Sequence, residues 1–221
     1  MWTKPVVEIR IEEYERGTLP KLTALYQDRG LPVLTRHLGR PLGFYFTLVG
    51  HQNSLIQIWG YDSMAEYETG RAAVEDDPDW NDFREGSKGI VRYRQNRLTR
   101  RIKFPIVDNT AHETEKKPIV DFRTYSSHYD LMQKFLDTSE EFAMPVQLKH
   151  IGPPIGYFLN TVGNLQQITH MWGYDSLGDM EERRDARTAD PEWKKYLTAS
   201  DGIYERQETQ VIRRLKLFAD E

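Results

Sequence analysis

The sequence contains no cysteine. That excludes disulfides, a thiolate nucleophile and every cysteine-ligated metal or iron–sulfur site, and it makes a reducing cytoplasm the expected compartment. Long apolar runs are also missing: no window approaches the ~20 consecutive apolar residues that a bilayer span needs. The opening Met1-Trp2-Thr3-Lys4-Pro5 runs straight into an alternating pattern, without the basic-then-apolar leader of a secretory segment. Charge of one sign is not in excess, since 34 acidic residues against 30 basic ones leave a net −4. Binding to nucleic acid by counterion release is therefore not expected.

Three chemical signatures are lacking as well. There is no Gly-x-Ser-x-Gly elbow, no glycine-rich phosphate loop and no His-Glu-x-x-His or comparable ligand spacing. Hydrolase, nucleotide-enzyme and dedicated metal-site readings lose their usual support. Haem needs only one axial histidine and a cavity, so it stands as the alternative cofactor, although the sequence requires none.

What the chain does have is self-similarity. Hydrophobic residues at 38% and charged residues at 29% describe a packed globular protein, and 221 residues suffice for one large domain or two small ones. The run Trp59-Gly60-Tyr61-Asp62-Ser63 returns unchanged as Trp172-Gly173-Tyr174-Asp175-Ser176, an offset of 113. The same offset carries Arg10 to Arg123, His37 to His150, Gly43 to Gly156, Asp77-Pro78 to Asp190-Pro191 and Trp80 to Trp193, with no insertion. Register held through several loops, where insertions are most easily tolerated, points to an internal duplication. The expected units are residues 1–102 and 119–221, joined by a proline-containing, charged linker over 103–118.

Each copy changes hydrophobic period in the same order. Val7, Ile9 and Ile11 alternate with charged residues, as do Val120 and Phe122, which predicts an opening strand. Leu19, Leu22 and Leu25-Tyr26, or Leu131, Phe135 and Leu136, fall at helical spacing. Gly43–Val49 and Leu55–Tyr61 read as a hairpin, repeated between Gly156 and Tyr174. A charged helix then follows a capping Asp-Ser pair, Asp77-Pro78 breaks it before a short piece around Trp80 and Phe83, and Ile90–Leu98 closes the unit as a strand. The order β-α-β-β-α-β predicts an α+β, ferredoxin-like unit with two helices on one face of a four-stranded antiparallel sheet. Two such units in one chain are expected to cover each other's bare sheet faces as a pseudo-two-fold, dimeric α/β-barrel arrangement.

Glu8-Ile9-Arg10, the stretch from Gly30-Leu31-Pro32 to Arg36-His37-Leu38-Gly39, the Trp59–Ser63 turn and Asp77-Pro78-Asp79-Trp80 together resemble the NIPSNAP domain. The resemblance spans Val7–Ile102 and Val120–Leu215. It implies the dimeric α/β-barrel fold, shared with small cofactor-free monooxygenases and haem-handling relatives, and no established reaction. The second copy departs from the pattern near its first helix, with Ala143-Met144-Pro145 for Gly30-Leu31-Pro32 and Lys149 for Arg36.

Alternation sorts strand residues by face. Taking Val7, Ile9, Ile11, Ile56, Ile58, Thr169 and Met171 as helix-facing leaves Arg10, Gln57, Trp59 and Tyr61, with Arg123, His170, Trp172 and Tyr174, on an inter-sheet face. Tyr45 and Thr47, or Phe158 and Asn160, join them from the second strand, opposite Phe44, Phe46 and Leu48. This set predicts a small-molecule cavity with ligand contacts from Arg10, Tyr45, Gln57, Trp59, Arg123, Asn160 and Trp172. The other reading is a filled interface of stacked aromatic and arginine side chains, in a non-catalytic structural or interaction module, with homodimerisation open to either. His170 is the candidate catalytic residue because Gln57, its counterpart, cannot transfer a proton. His37 and His150, each ahead of a turn, are secondary candidates. Glu181-Glu182-Arg183-Arg184 reads as a solvated helix face.

Overall fold

The structure, a computed structural model, describes residues 3–108 and 113–218, so Asn109 and Thr110 of the expected linker lie outside the described residues. The chain forms two compact units. One runs through Thr99 and takes in the chain from Arg214 onward; the other is Arg100–Arg213.

In the first unit, strand β1 (Val6–Tyr14) leads to helix α1 (Leu19–Leu25), a π turn over Tyr26–Gly30 and helix α2 (Leu31–Leu38). Strands β2 (Gly43–Val49) and β3 (Ser54–Tyr61), helices α3 (Met64–Asp76) and α4 (Pro78–Ser87) and strand β4 (Val91–Ile102), as far as Thr99, complete it. The sheet order is β4-β1-β3-β2, with Arg10 opposite Gln57 and Gln57 opposite Phe44. The second unit repeats the series as β5 (Ile119–Ser127), α5 (Met132–Thr138), a π turn over Ser139–Ala143, α6 (Met144–His150), β6 (Gly156–Asn160), β7 (Gln167–Tyr174), α7 (Leu177–Ala189), α8 (Trp193–Ala199) and β8 (Tyr204–Arg214). Its sheet order is β8-β5-β7-β6, with Arg123 opposite His170 and His170 opposite Tyr157. The expected α+β, β-α-β-β-α-β order is therefore present in both copies. Among the described residues no helix is long and apolar enough to cross a membrane.

The first helix runs further than its leucine spacing suggested. It continues to Leu38 because a π turn, closed by the Leu31 N–H on the Tyr26 carbonyl, absorbs one extra residue just before Pro32, which has no N–H to give. Met144 closes the same turn on Ser139 ahead of Pro145. The charged helices start as expected: Ser63 Oγ accepts from the Glu66 N–H at 3.1 Å and Ser176 Oγ from the Asp179 N–H at 3.0 Å.

One expectation is reversed. The first and third strands present the opposite face to the helices: Trp59 and Tyr61 pack with Leu22, Leu34, Val74 and Trp80, and Arg71 of α3 donates to Glu8 at 3.0 Å. Val7, Ile9, Ile56, Ile58 and Met171 are fully buried on the sheet face turned away from their unit's helices. The second strand follows the expectation, with Phe44 against Tyr26 on the helix side and Tyr45 opposite. The reason is physical: both faces of these strands are buried, so alternation separates two sets without a polar face to say which meets the helices.

His37 and His150 take the same structural place in each unit. Asp77 accepts from the Asp79 N–H at 3.0 Å with one oxygen, and from His37 at 2.7 Å and Arg36 at 2.8 Å with the other. Asp190 repeats this with the Glu192 N–H at 3.0 Å, Lys149 at 2.8 Å and His150 at 2.9 Å. The bond from His37 holds the Asp77 carboxyl below its ordinary range, and the bond from Lys149, followed by that from His150, does the same for Asp190. A carboxyl depressed in the folded state contributes stability above the unfolded-state value of about 3.9 and loses it as pH falls through the lower folded value. Thermal unfolding followed from neutral pH down to about pH 3 should show a wild-type Tm that declines below about pH 4, and a smaller decline in the Asp77→Asn/Asp190→Asn double variant. Parallel declines in the two proteins would contradict this account.

Candidate functional site

Between the sheet and helices of the second unit lies a cavity of ≈ 370 Å³. Its floor comes from β5, β6 and β7 through Asp121, Arg123, Tyr125, Tyr157, His170, Trp172 and Tyr174, and its roof from α5 to α8 through Phe135, Gln147, Arg184, Arg187, Trp193 and Tyr196. The floor residues converge because i, i+2 positions share a face and the register aligns Arg123, His170 and Tyr157 across three strands.

His170 is 3% exposed. Its Nδ1 accepts the Trp172 indole N–H at 2.8 Å, and Tyr157 stacks on the ring at 4.7 Å and 9°. Burial, with the Arg123 charge adding, pushes its pKa well below the ordinary value, so the ring is neutral. With Nδ1 occupied as acceptor, the proton of that neutral ring sits on Nε2. Nε2 is buried and has no protein partner, and His170 is one of the residues that line the cavity. Arg123 donates to Asp121 at 2.9 Å and to the Tyr125 hydroxyl at 2.8 Å. Burial opposes that charge, but Asp121 and Tyr125 outweigh it and hold the guanidinium above its ordinary value. Arg187 lies 4.3 Å over the Trp193 ring with its Nε unpartnered. Burial, then Arg123 and Arg184, pull its pKa down.

The first unit closes the corresponding space from within. Tyr26, at the position of Ser139, is fully buried and packs on Phe44 at 5.4 Å and Phe83 at 4.6 Å. Its hydroxyl accepts from Gln57 at 2.6 Å and donates to Glu12 at 2.6 Å. Gln57 in turn accepts the Trp59 indole N–H at 3.2 Å, the same relay as Trp172 to His170. Glu8 binds Tyr61 and Arg71, and Glu12 binds Arg94 at 2.7 Å, so these buried carboxylates are paired within the unit. Val74 and Leu34 stand where the second unit has Arg187 and Gln147.

Of the residues singled out from the sequence, Arg123, His170 and Trp172 meet in the cavity, and Arg10, Gln57 and Trp59 surround the Tyr26 plug. Arg10 reaches Glu8 at 3.4 Å. Tyr45 and Asn160 lie on the other sheet face, where Tyr45 accepts from Arg214 at 3.2 Å and Asn160 donates to the Asn164 carbonyl at 3.0 Å. Both are thus separated from the cavity, because the second strand was sorted correctly and its neighbours were not. His37 and His150 hold helix ends to Asp77 and Asp190. Arg184, read as solvated, instead turns to the cavity, with Asp121 at 3.9 Å. Ser139, Arg187, Tyr157 and Tyr196 were not foreseen; the signal available was the change of size or charge between equivalent positions of the two copies.

Haem does not suit this wall. An axial histidine needs a lone pair on the nitrogen facing the iron, and the Trp172 bond leaves that lone pair on Nδ1 and the proton on Nε2.

Fold and cavity together define an α+β protein carrying two units of the dimeric α/β-barrel class in one chain. The chain belongs to the NIPSNAP family, which it matches over residues 7–105 and 120–217, one segment for each copy. It is 24% identical over 179 residues to the Protein NipSnap homolog of Dictyostelium discoideum, covering 80% of this chain and 75% of that protein. It is 19% identical over 211 residues to human Protein NipSnap homolog 2, covering 93% of this chain and 68% of the other. Among solved structures, an anthrone oxidase-like protein superposes with a TM-score of 0.62 at 11% identity, over 96% of this chain and 92% of that one. The shared fold thus extends through both copies.

Two outcomes follow. Tyr26→Ser removes a fully buried ring and leaves the Glu12 carboxylate short of a donor, so urea unfolding should show a loss of about 3–5 kcal/mol; a loss below about 1 kcal/mol would contradict the plug. His170 has a folded pKa below its unfolded value near 6.5, so the unfolded chain binds the extra proton as pH falls below about 6.5 and wild-type stability declines by up to about 1.4 kcal/mol per pH unit until the folded value is reached. His170→Gln, which preserves an acceptor for Trp172, should lack that component; an unchanged slope would show that His170 is not buried neutral.

Proposed function

We propose that the second unit binds a small planar organic molecule in its helix–sheet cavity, and that the first unit is a closed structural copy. The observation that carries this is the His170 Nε2–H, a buried donor with no protein partner, on a residue that lines a cavity of ≈ 370 Å³. Leaving such a donor unsatisfied costs about 1–3 kcal/mol, which a ligand acceptor removes. Tyr157, Trp172, Trp193 and Tyr196 supply flat walls for a ring. Arg123 and His170 are the proposed ligand contacts from the sheet.

His170 supports this role as a hydrogen-bond donor rather than as a proton acceptor, since its free nitrogen carries the proton. Cofactor-free oxidation of the bound molecule, with dioxygen as the electron acceptor, is the catalytic extension of this reading, in keeping with the name of the anthrone oxidase-like neighbour; it requires turnover of a ligand that is first shown to bind. A purely structural role suits the first unit, whose space Tyr26 fills. We place the protein in the cytoplasm on the absence of cysteine, with a homodimer as the proposed further assembly.

The test is a thermal-shift and native mass spectrometry screen over metabolites, quinones and haem, run on wild type and on Ser139→Tyr/Ala143→Gly. That double change copies the first unit, where a Cβ on Gly30 would come within 2.8 Å of the Phe83 ring and 2.9 Å of the Tyr26 ring, so the glycine makes room for both. At a concentration of about 100 Kd a cavity ligand should add about 2.7 kcal/mol to wild type and nothing to the plugged variant. Equal shifts in both proteins, or none across the panel, would count against the cavity as a binding site.

A further inference from the structure

We infer that the ligand of this cavity is a planar aromatic molecule held through an anionic oxygen. The inference deepens the binding role proposed above and rests on it. Its starting point is that Tyr26 acts as an internal ligand: the first unit shows what an aromatic ring with an oxygen substituent looks like in this slot. There the ring packs on Phe44 and Phe83, whose counterparts are Tyr157 and Tyr196, and the oxygen sits between Gln57 and Glu12, whose counterparts are His170 and Tyr125.

The two units differ in what they ask of that oxygen. In the first, Gln57 donates and Glu12 accepts, which matches a neutral phenol with its own proton to give. In the second, His170 presents an N–H, and Tyr125, whose oxygen accepts from Arg123, has an unassigned O–H to offer. A neutral phenol placed there would face two donors where the Tyr26 hydroxyl has one donor and a carboxylate acceptor. An oxyanion would be satisfied by both.

The surrounding charge agrees. The charged residues of the cavity are Asp121 and Arg123 on β5 and Arg184 and Arg187 on α7. Asp121 gives its Oδ2 to Arg123 at 2.9 Å, with Arg184 at 3.9 Å, while its Oδ1 is buried without a protein partner. Its counterpart Glu8 binds Tyr61 and Arg71, not the Tyr26 hydroxyl, so the carboxylate belongs to the far side of the slot from the expected oxygen. Three guanidinium groups against one carboxylate leave two positive charges, and Arg187 is an addition, since the first unit has Val74 in its place. The two closed chemistries, neutral tyrosine with a carboxylate acceptor and oxyanion with donors and an extra arginine, are the same slot with opposite proton bookkeeping.

The test uses 4-nitrophenol, whose phenolate is yellow and whose phenol is not, with 4-nitroanisole as the same ring without an ionisable oxygen. Titrated with the full-length wild-type protein, 4-nitrophenol should bind as phenolate, with its apparent pKa lowered by about one unit or more, equivalent to at least about ten-fold tighter binding of the anion than of the phenol. Ser139→Tyr/Ala143→Gly should abolish binding, and Arg187→Val, which copies the first unit's residue, should return the dye's pKa toward its free value. Nitrophenol that binds in the neutral form or is matched in affinity by nitroanisole would overturn the anion inference while leaving the cavity as a binding site. Absence of binding by both probes, or binding undiminished in the plugged variant, would overturn the inference together with the site.

Discussion

In each unit the tryptophan of the third strand gives its indole N–H to the side chain two residues earlier on the same face: Trp59 to Gln57 and Trp172 to His170. That single bond decides what the acceptor residue can do with its remaining polar group. Gln57 must aim its amide N–H outward, and finds the Tyr26 hydroxyl. His170 must carry its proton on Nε2, and finds no protein partner. The chemistry of both sites follows from this relay: the shape of the hydrogen bond is constant, and only the group that receives the outward donor differs.

That difference traces to one position in the π turn of the first helix. A tyrosine at 26 reaches across the sheet and brings with it a set of adjustments: glycine at 30 to clear its ring, a glutamate at 12 to accept its proton, and a valine at 74 where no charge is needed. A serine at 139 leaves the slot open, and alanine, tyrosine and arginine occupy the matching places. Widened π turns are frequent at functional sites because they re-aim side chains without breaking the helix, and here the turn of the first copy aims Tyr26 into the slot, while the buried Ser139 takes its place in the second. Duplication thus provides an internal comparison: one copy retains a filled core, the other a lined cavity.

The topology was legible because the copies check one another. A gap-free offset, repeated capping serines and the Asp-Pro breaks fixed element order without any reference beyond the chain. The sheet faces were not legible, since Ile9 and Trp59, from opposite faces, are both buried and amphipathicity offers no sign. His170, Arg123 and Trp172 were rightly grouped, because alternation keeps i and i+2 together whichever way the strand faces. Tyr45 and Asn160 were grouped with them wrongly for the same reason, one strand having been sorted correctly and its neighbours reversed. Ser139 and Arg187 escaped because helical residues were read for periodicity, whereas their importance lies in contrast with Tyr26 and Val74.

The central claim is that His170 is a neutral imidazole with its proton on Nε2, the nitrogen that has no protein partner. Nitrogen-15 NMR of the histidine rings, assigned by comparison with the His170→Gln variant, reads tautomer and charge directly. The account predicts that the His170 signals report the Nε2–H tautomer at neutral pH and remain those of a neutral ring down to about pH 5, below the ordinary histidine value. A ring that is protonated on Nδ1, or that titrates near about pH 6.5 as a solvated histidine does, would contradict it.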